Sequence, residues 1–159
     1  TLGALLSDVP HSRPVDIYGA TDDEDLMASL NLSRSAYEGP TGIVGVLSTT
    51  CRDEGFTTIS FWAAVPSYVP GAPSPKAGLA LVHRTSELLA ASVYVTDLEI
   101  AAASYERQID ELVSEDEDTA TYVADLEEAW DAEDEEDDLA DDPELLVAEV
   151  EDFLRDTNE

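Results

Sequence analysis

The sequence predicts an α/β core followed by an acidic, purely helical C-terminal extension. Two observations carry this expectation. Strand-like and helix-like patterns alternate from Val15 to about Ala91, the order expected of an α/β domain. The charge is also split: residues 1–95 hold ten acidic and five basic side chains, whereas residues 96–159 hold twenty-seven and two, and so −25 of the chain's net −30.

Taken in order, Val15–Tyr18 alternates apolar and polar residues, the period of a short strand. Thr21-Asp22-Asp23-Glu24 has capping-box spacing and predicts a helix with Leu26, Met27 and Leu30 on one face. From Thr41 to Glu54 the residues Ile43, Val44, Val46 and Leu47 suit a helix stopping at Gly55, although glycines and β-branched residues let a strand compete for the same stretch. Thr57–Val65 is rich in β-formers and ends at Pro66, as a buried strand would. The segment Pro66–Pro75 holds four prolines, which remove amide donors and restrict their neighbours, so it reads as irregular. Ser74 as N-cap and Pro75 at the first helical position then open a helix to about Ala91, with Leu79, Val82, Leu88 and Leu89 inward.

Past Val95 only helices are expected. Thr96-Asp97-Leu98-Glu99 repeats the capping-box spacing, and Leu98, Ala101, Ala102, Tyr105, Ile109 and Leu112 form an apolar stripe. A second helix, about Asp116 to Trp130, carries Tyr122, Val123, Leu126 and Trp130, and a third opens at Asp142-Pro143. The acidic run at 131–142 is read as a flexible linker, because blocks of like charge repel and stay solvated. Thr1-Leu2-Gly3-Ala4-Leu5-Leu6 begins in mid-element, and only two strands are read from the remainder of the chain. That is too few for an independent open sheet, so the expectation is a missing N-terminal half that supplies more strands.

The composition excludes several functions. Seven cations cannot build the clustered phosphate contacts of a nucleic-acid binder, nor hold an anionic membrane surface. No run of eighteen apolar residues is present, and Thr1–Pro10 lacks the charged and apolar regions of a signal peptide. Cys51, the only cysteine, cannot close an internal disulfide, which fits a cytoplasmic protein.

Among residue types that carry chemistry, His11 and Arg13 in a proline-bracketed turn are the catalytic candidates. Such a pair can bind a carboxylate or phosphate, but can equally be tied to a neighbouring acid. Gly39, Thr41, Gly42 and Gly45 could aim backbone amides at an anion, or simply pack tightly; they match neither the phosphate loop nor the dinucleotide fingerprint. Trp62 and Tyr68 complete the candidate pocket, since a strand ending in Val-Pro places an aromatic at the edge where open α/β sheets bind ligands. His83 reads as a structural or surface residue and Cys51 as a small buried hydrophobe. The acidic run lacks the twelve-residue calcium loop, so no metal is expected, and no cofactor.

Four ordered blocks resemble a known family: Asp8-Val-Pro-His-Ser-Arg-Pro14, Tyr37-Glu-Gly-Pro-Thr-Gly-Ile-Val-Gly-Val-Leu47, Phe61-Trp-Ala-Ala-Val-Pro-Ser-Tyr68 and Ser74-Pro-Lys-Ala77. With Asp97-Leu-Glu and Ile-Asp-Glu-Leu112 behind them, they are similar to the C-terminal half of proteasome-assembly-chaperone-like proteins of actinobacteria and archaea, actinobacterial branch. The resemblance implies a three-layer α/β/α sandwich of phosphorylase/hydrolase-like type, only part of whose sheet lies in this chain, with a helical C-terminal extension. It also implies self-assembly, with trimers expected. Some relatives are labelled ATP-grasp, but no such nucleotide motif stands here. The reading favoured is a non-enzymatic assembly chaperone or scaffold, a homo-oligomer able to take a protein client. The alternatives are a hydrolase- or phosphorylase-like enzyme with a pocket at the sheet edge, in which Arg13 holds an anionic group and His11 is the acid/base, and a plain structural oligomer.

Overall fold

The computed structural model describes residues 1–30, 32 and 42–141 and forms a mixed α/β structure. Its order is β1 (Leu2–Ser7), β2 (Ile17–Thr21), α1 (Glu24–Leu30), α2 (Ile43–Asp53), β3 (Ile59–Pro66), α3 (Pro75–Leu88), α4 (Thr96–Ser114) and α5 (Glu117–Asp141). The strands lie in the order β1-β3-β2. β1 runs parallel to β3, from Leu2 opposite Phe61 to Ser7 opposite Pro66, and β2 runs antiparallel, from Ile17 opposite Ala63 to Thr21 opposite Ile59.

Three strands are therefore present where the sequence yields two. β1 escapes the pattern because Leu-Gly-Ala-Leu-Leu-Ser has no β-branched residue and a short apolar run fits either element. Its glycine serves the strand: a Cβ at Gly3 would stand 2.5 Å from Cζ3 of Trp62, its partner in register. The expected strand at Val15–Tyr18 forms two residues later.

Asp23, not Thr21, caps α1: its Oδ1 accepts the amide of Leu26 at 3.0 Å, while the Thr21 hydroxyl donates to the Thr58 carbonyl at 2.7 Å. The segment open to two readings is a helix, α2, closed by Gly55 at φ +85°, a conformation only glycine takes without strain. Ile43, Val46 and Leu47 on α2 stay exposed. The start of α3 is as expected, with the Ser74 hydroxyl accepting the Ala77 amide at 3.2 Å and Pro75 in the first turn. α3 ends three residues early and leaves Leu89 exposed. Val95 is the N-cap of α4, so Thr96 lies inside the helix and its hydroxyl forms no cap.

The core centres on β3, where Phe61, Ala63 and Ala64 are buried. α3 packs on β3 and β2, with the Arg84 guanidinium 5.9 Å above the Phe61 ring, and α4, with Ala102, Tyr105 and Ile109 buried, packs on α3. Leu112, placed on that stripe by its spacing, is exposed. α5 returns along α4 after two residues, with Val123 buried. The acidic run read as a linker continues α5 as far as Asp141. The third helix expected from Asp142 lies outside the described residues, as do Gly39 and Thr41.

Candidate functional site

β1 and β3 are parallel, so their C-terminal ends open on the same edge, and the loops leaving them meet there. The 8–14 turn follows β1 and the proline-rich loop follows β3. His11, only 4 % exposed, lies at the junction. Its backbone N–H donates to Tyr68 Oη at 2.8 Å, and its Nδ1 lies 2.8 Å from the same oxygen. With one Oη lone pair taken by that amide, the phenol hydrogen is free to donate to Nδ1. Nε2 then carries the ring proton, donated to Asp110 Oδ1 at 2.9 Å; this tautomer is assigned from the hydrogen-bond network. Burial pushes the Tyr68 phenol up to about 12, so it stays a neutral hydroxyl.

The remaining polar groups of the turn are likewise taken by the C-terminal helices. Lys76 Nζ donates to the His11 carbonyl at 2.6 Å and pairs with Glu106 of α4 at 3.2 Å. The Ser12 hydroxyl donates to Glu127 of α5. Arg13 grips Asp131 of α5 with two parallel bonds, Nε to Oδ1 and Nη2 to Oδ2, each 2.7 Å, and its Nη1 lies 3.6 Å from Glu127. This bond holds the Asp131 carboxyl below the ordinary carboxylate range and the guanidinium above its own. Tyr122 of α5 stands edge-on to Tyr68, centroids 6.0 Å apart, and its hydroxyl donates to Asp8 at 3.1 Å. Four carboxylates from two helices thus converge on His11, Ser12, Arg13 and Lys76.

An Asp110–His11–Tyr68 chain has the form of a carboxylate-oriented base beside a hydroxyl. The Tyr68 oxygen also accepts the His11 amide, and the cavity at His11 holds about 10 Å³, room for at most a single water. Val9, Ala64 and Tyr105 close it with the turn. Ligand pockets run to about 300 Å³ and more.

Of the residues proposed from sequence, the structure brings together His11, Arg13 and Tyr68. Trp62 lies mid-strand in β3, between Gly3 and Tyr18 in register, away from the edge loop. Gly42 is the N-cap of α2 and has nothing within 4 Å of where a Cβ would stand; Gly45 lies in the first turn of that helix. Neither lines the cavity at His11. His83 is exposed and Cys51 half-buried in α2. Missed from sequence were Asp8, Ser12, Lys76, Asp110, Tyr122, Glu127 and Asp131. Their one signal was the scarcity of cations, since Lys76 is the sole lysine and each cation of the core must meet some acid. Among the described residues no group of three or more His, Cys, Asp or Glu side chains is arranged to hold a metal, and no helix is long and apolar enough to cross a membrane.

The comparisons bear on the same residues. The model of the PAC2 family matches residues 1–113. A PAC2 family protein from Streptomyces avermitilis is 43% identical, with a TM-score of 0.67 over 77% of this chain and 51% of its own. A Mycobacterium tuberculosis proteasome-assembly chaperone homologue is 44% identical, with a TM-score of 0.66 over 77% and 52%. A second M. tuberculosis protein, of unknown function, is 26% identical with a TM-score of 0.78 over 88% and 48%. The chain therefore spans about half the length of these solved structures. No curated protein matches it. The blocks around His11, Tyr68 and Ser74 that suggested a family all lie inside the matched span, and the chain belongs to the PAC2 family.

Proposed function

We propose that the chain serves as a non-enzymatic assembly chaperone or scaffold, as its similarity to a proteasome-assembly chaperone homologue suggests. The observation that carries this reading is the state of the edge where an enzyme of this architecture would bind: its polar groups are bonded to one another and to α4 and α5, and the space left at His11 is about 10 Å³. The chain's net charge of −30 would steer it towards basic partner surfaces and discourage nonspecific association. The finer parts of the reading belong to the same proposal. Residues 1–95 would be part of a three-layer α/β/α sandwich, 96–159 its acidic helical arm, and the protein a cytoplasmic homo-oligomer, a trimer by family resemblance.

The test is affinity capture of the full chain from its own cell extract, with mass spectrometry and light scattering of the eluate. Stoichiometric recovery of proteasome subunits, or of another defined complex, is the expected result. A bare homo-oligomer that binds a metabolite, with binding lost in His11→Ala and Arg13→Ala, would replace the proposal with the enzyme.

A further inference from the structure

We propose that the outer edge of β1 pairs with itself: a second copy of this chain adds its own β1 there, antiparallel, about a two-fold axis at Ala4. The inference rests on the homo-oligomer part of the reading above and on no client. β1 ends the β1-β3-β2 sheet, and among the described elements it packs closely on β3 alone. Thr1 and Ser7 turn their carbonyls to β3, where they accept the amides of Phe61 and Ser67, each at 2.9 Å. Alternate residues of a strand face the same neighbour, so Gly3 and Leu5 also bond to β3. The N–H and C=O groups of Leu2, Ala4 and Leu6 therefore point outward. The side chains of these three share one face and are all exposed, Leu2 at 54 % and Leu6 at 59 %.

Edge strands are commonly guarded by charge, proline or a bulge. Leu2–Ser7 has neither charge nor proline, and its register with β3 runs unbroken. Such an edge offers nothing to a charged partner and suits an uncharged apolar strand. β1 is itself that strand, and it is symmetric about Ala4. In an antiparallel pair centred there, Leu2 of either copy stands opposite the other copy's Leu6, and Ala4 opposite itself. These are the residues whose backbone groups point outward, so the seam closes with about six hydrogen bonds. Sliding the register leaves a leucine of each copy without a partner. Two three-stranded sheets become one of six, an ordinary size. The seam is one strand edge about 20 Å long, so it buries less than the ~1,200 Å² of stable complexes, and each copy brings a net charge of −30. The pair is therefore weak, and salt strengthens it by screening that repulsion. Being two-fold, the contact is separate from any three-fold one.

The test is sedimentation velocity of the full chain from about 5 to about 500 μM, at 50 mM and 500 mM NaCl. Pairing is expected to grow with concentration and to be stronger at the higher salt. Ala4→Pro removes an outward amide and none bonded to β3, a change that an edge strand tolerates. It should weaken pairing roughly tenfold or more, with the circular dichroism of the wild type. Ala4→Lys sets two ammonium groups opposite each other, which is destabilising across a strand pair. It should do the same, although it makes the chain less negative, so overall repulsion cannot account for the loss. Ile43→Lys, on the exposed apolar side of α2, should pair like the wild type. An assembly that both Ala4 variants leave intact, or that Ile43→Lys abolishes, overturns the inference and leaves the homo-oligomer reading standing. A chain monomeric over the whole range overturns both.

Discussion

Arg13 and Asp131 meet fork to fork, with both bonds at 2.7 Å, across 118 positions of sequence. Through this contact the first turn of the core holds the beginning of the chain's most acidic run. The groups that looked most like catalytic equipment are thereby occupied with structure.

The pairing sets a direction for acid sensitivity. Asp131 is held below its ordinary value of 3.8 by the Arg13 bond, so the stability it contributes is complete above that value and is lost as pH falls from there through its own lower value. Asp16 runs the other way, raised by burial and then by Glu133, so its ionisation costs stability and acid relieves that cost. Acid titration of unfolding should show Asp131→Asn losing part of the wild-type decline below pH 3.8. An unchanged acid limb would show that the fork contributes nothing in solution.

Tyr68 should matter through its hydroxyl. Tyr68→Phe keeps the ring against Tyr122 but strips the partner from the His11 amide and Nδ1. Leaving such partly buried groups unpaired costs about 1–3 kcal/mol, measurable by urea unfolding. Equal stability of the two proteins would mean that water takes the hydroxyl's place.

Gly3, like Gly19 in β2, is a place where the sheet cannot accept a methyl without a shift of its neighbours. Gly3→Ala puts a Cβ 2.5 Å from Trp62, so the ring must shift, and overpacking of this kind costs about 1–3 kcal/mol. Denaturation with tryptophan fluorescence should report both the loss and a moved Trp62. No change in either would contradict the placement of the Trp62 ring against Gly3.

The start of α3 offers the simplest check. Ser74→Ala removes the hydroxyl that accepts the Ala77 amide and should cost about 1 kcal/mol, and Ser74→Asp should recover most of it. Ser74→Ala as stable as wild type would show the cap to be idle.

What could be read from sequence was local. Ser74-Pro75 marks its helix because cap and first-turn chemistry sit in adjacent residues, and Thr57–Val65 reads as a strand because β-branched and aromatic residues crowd it. The capping boxes located both helices, α1 and α4, but not the residues that cap them. Thr21 spends its hydroxyl on the Thr58 carbonyl of the neighbouring segment, and α4 starts one residue ahead of its box. His11, Arg13 and Tyr68 could be singled out by residue type, but their partners could not. Asp110, Glu127 and Asp131 are three of thirty-seven acids, and nothing local separates them from the rest. The role of the turn emerged only from topology, once β1 and β3 were known to run parallel and α5 to come back over their ends.

The central claim is that α5 lies on this edge and fills it. The direct measurement is a nuclear Overhauser experiment on the full chain with the tyrosine and histidine rings assigned. Cross-peaks between Tyr68 and Tyr122, whose centroids stand 6.0 Å apart, and between Tyr68 and His11, also at 6.0 Å, are the predicted result. A Tyr122 ring that touches only its own helix, with His11 and Arg13 open to added small anions, would contradict the account.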